Sequence, residues 1–541
     1  MQKFFFLILT CCFPVLWLTN SAMAAAGDLD PSFGSGGLVT TDLLNTLEVI
    51  RKVAVQTDGK LVAVGNSGSN DVLVRYKLNG SLDPTFGSGG KVIGLRGVRP
   101  ATVVIQPNGK IIAGGAAAGG DFGLVRFNKD GSIDASFGNA GLATTDFFGT
   151  PDQVWDLVLQ PDGKIVAVGD ADSANWLALA RFNSDGNLDT SFGNSGRLTP
   201  GVAPGIEQGL AIAIQPDLSI VAAGQAYNGA VTRGDFAIVR LDPNGQLDES
   251  FGNNGRVLTD FDNSYDGANA ITIQPDGKIL AAGMGADKFG LARYNTDGSL
   301  DNTFGNGGKV VTTFFGRTDT ATALALQPDG KIVVSGSATF SGGDGTSGAI
   351  RRFALARYNV VDGSLDASFG DQGKVTTDFS GDSMATCLTL QPDGKLVVSG
   401  SANLVDFALA RYLTTPTNSP VLQTEANSTQ AVALDSVTFV RDPFSVTTEQ
   451  NFSADHQTRI ILLATNLTIS SGENFSSVSV KAEAAGGAIQ TLPVEYVGPV
   501  PGSEWLTQVV VRLPAQLANA GTMQVSITHG NTSNQGSIVI K

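Results

Sequence analysis

Short apolar runs punctuated by Gly, Pro and Asp recur along most of this chain, and within them apolar and polar side chains alternate at the two-residue period of a half-buried strand. One stretch carries the pattern in full. Ala323-Leu-Ala-Leu-Gln327 reads as a strand, and Pro328-Asp329-Gly330 as a tight turn in which Pro presets one dihedral and Gly accepts positive φ. Lys331-Ile-Val-Val-Ser335 is the second strand. After a variable loop, Phe353-Ala-Leu-Ala-Arg357-Tyr358 is the third, with Phe, Leu and Arg on one face. An Asp-Gly-Ser turn and a Leu-Asp-x-Ser-Phe-Gly segment then lead to the fourth, Lys374-Val-Thr-Thr377.

That unit is one of seven. Leu-Asp-x-Ser/Thr-Phe-Gly-x-x-Gly recurs with its Phe at Phe33, Phe86, Phe137, Phe192, Phe251, Phe304 and Phe369, Ile133 once replacing Leu. Gln-Pro-Asp-Gly-Lys or a close variant starts at Gln56, Gln106, Gln160, Gln274, Gln327 and Gln391, and the copy at Gln215 carries Leu218-Ser219 in place of Gly-Lys. An Arg followed by an aromatic or Leu marks each unit: Arg75, Arg126, Arg181, Arg240, Arg293, Arg357 and Arg411. Four antiparallel strands repeated seven times is the pattern of a β-propeller. The first strand met, Leu38-Val-Thr-Thr41, is a lone fourth strand, and the last, Phe407 to Tyr412, is a third. If the N-terminal strand completes the last sheet, a ring closes without a free edge. The expected fold is therefore all-β, a seven-bladed β-propeller over residues 27–414 closed by its N-terminal strand. An open β-solenoid is the alternative.

The phrases Gln-Pro-Asp-Gly-Lys-Ile-Val, Ala-Leu-Ala-Arg-Tyr-Asn and Gly-Ser-Leu-Asp-x-Ser-Phe-Gly resemble the delta-60 repeats of secreted bacterial proteins. The likeness covers all seven units and departs mainly at Leu218-Ser219. It implies propeller blades and no defined enzymatic activity.

After Tyr412 the repeats stop. Residues 415–425, rich in Pro, Thr and Ser, read as a linker. Seven candidate strands follow: Ala431 to Val440, Arg459 to Asn466, Val478 to Glu483, Ile489 to Val497, Thr507 to Leu513, Met523 to Thr528 and Ser537 to Lys541. They suit an immunoglobulin-like β-sandwich over 426–541 without the Cys pair. The stretches Leu492 to Gly498 and Gln508 to Pro514 resemble an accessory domain of secreted soil-bacterial proteins.

At the other end, residues 1–26 read as a signal peptide: Lys3, then the apolar run Phe4 to Leu18, then Ala22-Met23-Ala24 at cleavage spacing. An uncleaved anchor or a lipoprotein at Cys11 or Cys12 is the rival reading. The mature chain would be secreted to the periplasm, surface or medium. No later run reaches the length of a membrane span. Of 541 residues, 35 are basic and 50 acidic, a net charge of -15 that argues against nucleic acid. The one remaining cysteine, Cys387, lies in an apolar run and reads as a core residue.

Both histidines, His456 and His529, follow the repeats and read as exposed strand-end residues, so no Ser-His-Asp triad or His-based metal site fits inside the ring. The repeated Asn-x-Asp-Gly-Ser-Leu-Asp stretch is no EF-hand. With Asp297 and Gly298 at the fifth and sixth loop positions, Arg293 and Phe304 fall where calcium needs oxygen ligands. The Asp of that motif, such as Asp301, is expected to cap a helical turn or pair with an Arg such as Arg293.

A single-ligand site must break sevenfold equivalence. The connections between second and third strands vary in length, with Gly224 to Phe236 and Gly336 to Phe353 the longest. Those from each fourth strand to the next first strand are expected to rim the channel. They hold Asp42, Glu48, Asp146, Asp152, Asp156, Glu207, Asp260, Asp262, Asp266, Asp319, Asp378 and Asp382, with Trp155 and Tyr265. Asp42, Asp146, Asp260 and Asp378 are candidate ligands for a cation such as calcium. Trp155, Asp156, Tyr265, Asp266 and Asp319 are candidates for an oxygen-rich ligand such as a sugar. The competing reading is a solvated acidic face whose Thr-Asp pairs end strands. Three functions follow: a secreted non-catalytic binding or scaffold protein for an extracellular glycan or protein, a calcium-dependent propeller lyase or lactonase-like enzyme, and a structural surface or matrix component.

Overall fold

Turn chemistry sets the sheets. In the sixth repeat the Gln327 N–H donates to the Lys331 carbonyl at 2.8 Å, the Gly330 N–H to the Gln327 carbonyl at 2.9 Å, and the Asp329 carboxylate accepts the Lys331 N–H. Gly330 sits at φ 82, a conformation that carries no penalty only for glycine. The fourth repeat makes the same turn with Leu218 at φ 69.

The computed structural model describes residues 25–173, 176–201, 207–227, 234–262, 264–340 and 350–415, and beyond them 421–422, 433–435, 457–465, 467, 475–484, 488–500, 503–529, 531–532 and 535–540. The expected signal peptide up to residue 24, His456 and the middle of the two longest variable loops lie outside these residues. The described residues are all-β apart from two single 3-10 turns, Phe475–Ser477 and Ala515–Leu517. No helix among the described residues is long and apolar enough to cross a membrane.

Seven four-stranded antiparallel sheets follow the seven repeats. Their first strands are Glu48–Val55, Arg99–Ile105, Gln153–Leu159, Glu207–Ile214, Gly267–Ile273, Asp319–Leu326 and Met384–Leu390. Six sheets are built from consecutive strands. The seventh takes Met384–Leu390, Leu396–Ala402 and Asp406–Tyr412, and Leu38–Thr41 pairs on its edge with Leu38 opposite Ala410 and Thr41 opposite Phe407.

Cores lie between neighbouring sheets. Ile50, Val53 and Val72 of the first sheet pack with Cys387, Val397 and Leu409 of the seventh, so Cys387 is the core residue its apolar run implied. The Tyr76 hydroxyl of the first sheet donates to Thr41 at 3.1 Å, binding the N-terminal strand from its other side.

The repeated Arg, Asp, Lys and Phe form one inter-sheet joint. Asp301 accepts from Arg293 Nε at 2.9 Å and Lys278 Nζ at 2.8 Å, and its other oxygen takes the Thr303 N–H and hydroxyl. The expected pair is made, and the cap is that of a tight turn rather than a helical one. The Arg293 guanidinium lies 4.3 Å from the Phe304 ring centroid and donates to the Val360 carbonyl of the next repeat. The seventh copy runs to the first repeat, with Arg411 on Asp30 at 2.8 Å and on the Leu78 carbonyl at 2.5 Å. In the fourth copy Ser219 replaces Lys, and the Asp248 side chain is 25% exposed against 5% for Asp301.

Beyond the repeats, two five-stranded sheets share one core that includes Ile460, Leu462, Val480, Val509, Val525 and Ile538. The single strand expected over Ile489 to Val497 is two. Ile489–Leu492 pairs with Ser479–Ala484 in one sheet, and Val494–Val500 with Ser503–Arg512 in the other. Pro493 stands at the break and has no N–H to offer a ladder, so the chain changes sheets there. Val421–Leu422, read as linker, pairs with Thr465 and Ala464.

Candidate functional site

Every first strand carries a β-bulge at the same place. The ladder skips one residue between Ile50 and Lys52, Pro100 and Thr102, Val154 and Asp156, Gly209 and Ala211, Ala268 and Ala270, Ala321 and Ala323, and Ala385 and Cys387. The skipped residues are Arg51, Ala101, Trp155, Leu210, Asn269, Thr322 and Thr386. A bulge frees a side chain from the alternation and re-aims it.

Three of these side chains tether neighbouring sheets. Asn269 Nδ2 donates to the Ala321 carbonyl at 2.7 Å, Thr322 Oγ1 to the Ala385 carbonyl at 3.2 Å, and Thr386 Oγ1 to the Ile50 carbonyl at 2.6 Å. Sheets one to three depart from this: Arg51, Ala101 and Trp155 instead line a cleft of about 230 Å³, joined by Arg99, Gln153 and Asn66. At the opposite ends of the same strands a second cavity, about 360 Å³, is lined by Val55, Ile105 and Leu159 with Gln106 and Gln160 of the repeated turns. Its polar lining comes from the repeated turn motif, whereas the first cleft is lined by residues that differ from sheet to sheet.

In that cleft, the Trp155 Nε1–H donates to the Asp170 carboxylate, which fixes the indole ring. Burial, helped by the Asp152 carboxylate, pushes the Asp170 carboxyl up to about 6 against that hydrogen bond. Burial and the nearby Arg99 charge lower the Arg51 guanidinium. Next to the bulges, Asp156 accepts from Lys52 Nζ and Thr102 Oγ1, both at 3.0 Å, linking the first three sheets. Burial opposes the Lys52 charge and the Asp156 carboxylate outweighs it, so the ammonium is held above its usual range.

The predicted site residues separate into distinct groups. Trp155 and Asp156 lie inside a strand rather than in the preceding loop, because the bulge lengthens it. Asp156 is taken up by Lys52 and Thr102, and Trp155 lines the cleft. Asp266 and Asp319 are fully buried loop anchors. Asp266 accepts from the Phe261 and Ala286 N–H groups and the Ser264 hydroxyl, and Asp319 from the Phe314 and Thr339 N–H groups. Glu48 and Asp152 do the same work on Leu43, Leu44, Phe147 and Asp172. Tyr265 donates to Gln225 and accepts from Tyr227, away from Trp155.

The four Thr-Asp residues are not gathered round one point. Asp42 accepts from the Asn45 N–H, Asp146 from Gly149, Asp260 from Asp262 and Asp378 from Ser380, with Arg352 also on Asp378 at 2.7 Å. Each ends its strand by capping its own turn. Asp382 pairs with Arg351 at 2.8 Å. Among the described residues, Asp235, Asp260 and Asp266 alone form a carboxylate triplet with ligand atoms within 4.8 Å of one another. Burial and its two like-charged neighbours raise the Asp235 carboxyl. A calcium ion there would compete for Asp266 oxygens that N–H and O–H donors already hold, so the donor set is a poor match to the six to eight oxygens calcium takes.

The model of a β-propeller domain of unknown function, DUF5122, matches residues 56–86, 106–137, 160–192, 215–251, 274–304, 327–369 and 391–415. The chain carries seven DUF5122 β-propeller repeats. The solved structures similar to it include three enzymes. A catalytically inactive virginiamycin B lyase from Staphylococcus aureus, solved with quinupristin, is 12% identical over 70% of this chain and 99% of that one, at TM-score 0.42. Prolyl oligopeptidase B from Galerina marginata is 8% identical over 78% and 56%, at 0.34. A mannose phosphorylase from Leishmania mexicana is 9% identical over 50% and 81%, at 0.24. No curated protein matches the chain.

The DUF5122 repeats also show what the sequence reading missed. Arg51 and Arg99 were not singled out, although a positional signal exists: each bulged residue stands five places before the Gln of its repeat, as Arg51 before Gln56 and Trp155 before Gln160. Arg, Ala, Trp, Leu, Asn, Thr and Thr fill that column, the variation expected of a single-ligand site. Eight places before the same Gln stand Glu48, Val98, Asp152, Glu207, Asp266, Asp319 and Ser383, all buried. Uniform burial marks that column as structural.

Proposed function

We propose that this chain is a secreted, non-catalytic binding or scaffold protein. Its propeller is a closed seven-bladed ring that presents one ligand or partner site on the face of the variable connections. Pairing of Leu38–Thr41 with Asp406–Tyr412 and the bonds from Thr386 to Ile50 and from Arg411 to Leu78 support closure. The two sheets sharing one core beyond residue 421 support an immunoglobulin-like sandwich over 426–541, serving as an adaptor. The leader supports export.

The observation that carries the reading is the bulge column. Residues repeated in all seven units are engaged in joints and turns, and asymmetry is concentrated where Arg51, Ala101 and Trp155 replace tethers. The repeat region holds no histidine, and the carboxylates of its repeated motifs are engaged in turns and ion pairs, which favours binding over acid–base turnover.

The test is a glycan array and a protein pull-down with the mature chain, thermal melts with calcium and with chelator, and mass spectrometry of every ligand after incubation. Binding with an unchanged ligand is the expected result. A cleaved or isomerised ligand would make the protein an enzyme, and calcium-dependent turnover would favour the lyase or lactonase-like reading. Absence of any ligand would leave a structural surface component.

A further inference from the structure

We propose that the cleft between the first three sheets is an anion site that takes one acidic sugar unit, its charged group held between Arg51 and Arg99 and its ring stacked on Trp155. The inference rests on the binding reading above and reverses the sign of the ligand expected from the sequence. The rim is rich in carboxylates, but this cleft is lined by two guanidinium groups.

Three observations converge. First, neither the Arg51 nor the Arg99 guanidinium has a hydrogen-bond or ion-pair partner among the described residues, whereas all seven repeated arginines are paired with an aspartate. They also face each other closely enough for Arg99 to lower the Arg51 guanidinium. The Asp71 carboxylate is near enough to Arg99 to feel its charge but makes no ion pair with it, so two like charges share one distant counter-charge. An anion relieves them, and the planar fork of each matches a carboxylate or sulfate. Second, Trp155 is half-buried, and its N–H is engaged by Asp170, so the ring is oriented before any ligand arrives and its face is the part left to offer. An indole face pairs with the C–H face of a sugar ring, and Asn66 and Gln153 bring amides for hydroxyl groups. Third, the cleft measures about 230 Å³, below the range of sites for drug-sized ligands. It suits a single ring. The net charge of -15 repels a polyanion from the rest of the surface, so contact is confined to this local cationic patch.

The charged group can be a uronate carboxylate or a sulfate ester, and the experiment separates them. Isothermal titration of the mature chain is run with tri-galacturonic acid, its methyl ester, a sulfated trisaccharide and sodium sulfate. One of the acidic trisaccharides should bind, with the neutral ester at least tenfold weaker than its acid if the carboxylate is recognised. Arg51→Met and Arg99→Met should each weaken binding at least tenfold, as should Trp155→Ala, and Arg317→Met on the sixth sheet's loop should leave it unchanged. Thermal melts of each variant report folding, and Arg51→Met should melt no lower than the parent because a repulsion is removed. Equal binding of acid and ester, or acid binding indifferent to both arginine changes, overturns the proposal while leaving a binding protein. Binding of sodium sulfate as tightly as either trisaccharide overturns the sugar part of it. No ligand on any array fails the binding reading itself.

Discussion

The Thr386 hydroxyl donates to the Ile50 carbonyl at 2.6 Å, joining first strands that stand 336 positions apart in the chain. The same bond form joins Asn269 to Ala321 and Thr322 to Ala385, so the tether that links neighbouring sheets inside the chain also links its two ends. Each such bond adds stability without ordering a further loop, since the sheets it joins are already in place. Thr386→Val keeps the shape and removes the donor. We expect a loss of about 1 kcal/mol in unfolding free energy by urea denaturation. An unchanged midpoint would mean that the Ile50 carbonyl finds another donor and that the tether carries no stability.

Asp301 lies within reach of two cations and a hydroxyl in a joint that is almost dry. Burial alone would raise its carboxyl, and Lys278, Thr303 and Arg293 outweigh burial and hold it well below the usual carboxylate range. A depressed carboxylate contributes stability above its unfolded value of 3.8 that is lost as pH falls below it. Removing it strands Arg293 without its counter-charge, so Asp301→Ala should cost about 3 to 5 kcal/mol at pH 7. The deficit relative to the parent should narrow on acidification below pH 4, measured by denaturation across pH. A deficit independent of pH would show that packing rather than charge is lost.

The fourth repeat is the one whose joint and turn are incomplete. Leu218 holds the φ of 69 that the other turns give to glycine, and Ser219 leaves Asp248 without a lysine. Leu218→Gly should relieve about 1 kcal/mol of backbone strain. Ser219→Lys should add about 0.5 kcal/mol, because Asp248 is partly solvated and its pair is screened. The double variant should melt higher by calorimetry. A lower melting temperature would mean that the buried part of the Leu218 side chain, which is 39% exposed, and the added freedom of an unfolded glycine outweigh the strain relieved.

The sequence made the architecture legible because turns leave letters behind. Gly330, Asp329 and Pro328 are written into nearly every repeat, and so are Arg293, Asp301 and Phe304, whose roles depend on residue type. The bulges left none. A one-residue slip in a ladder changes which face a side chain takes without changing the apolar pattern, so Trp155 and Asp156 were read as loop residues and Arg51 not read at all. The buried anchors were misread for the opposite reason: Asp266 and Asp319 look like rim carboxylates, and only their backbone partners show that they hold loops. Ile489 to Val497 reads as one strand because a sheet change at Pro493 keeps the apolar alternation.

Packing bears on where the proposed leader would be cut. Ala26 is 4% exposed in the core of the seventh sheet, and its carbonyl accepts the Gly370 N–H at 2.8 Å. A leader removed through residue 26 would delete that contact, whereas cleavage after Ala24 keeps it and suits the small residues Ala22 and Ala24. If the proposed leader is cut on export, the intact mass of the product should therefore begin at Ala25. A start at Gly27 would show that the Ala26 contact is dispensable.

Trp155 reports on its own cleft through Asp170. The carboxyl is raised by burial to about 6 from an unfolded value of 3.8, so the folded state binds its proton more readily than the unfolded chain does. Stability linked to this group is greatest below 3.8 and is lost as pH rises from there to about 6, at a cost of about 3 kcal/mol above it. Asp170→Asn removes the charge and keeps an acceptor for the indole N–H, so the variant should be more stable than the parent at pH 8 and no different at pH 4. With Trp176 and Trp505 replaced by Phe, the emission of Trp155 in the mature chain should shift with a midpoint near pH 6, and that step should vanish in Asp170→Asn. A midpoint near 4 would place Asp170 in contact with water. The indole would then be oriented by a solvated partner, and the cleft would lack the rigid stacking face on which recognition of a sugar ring depends.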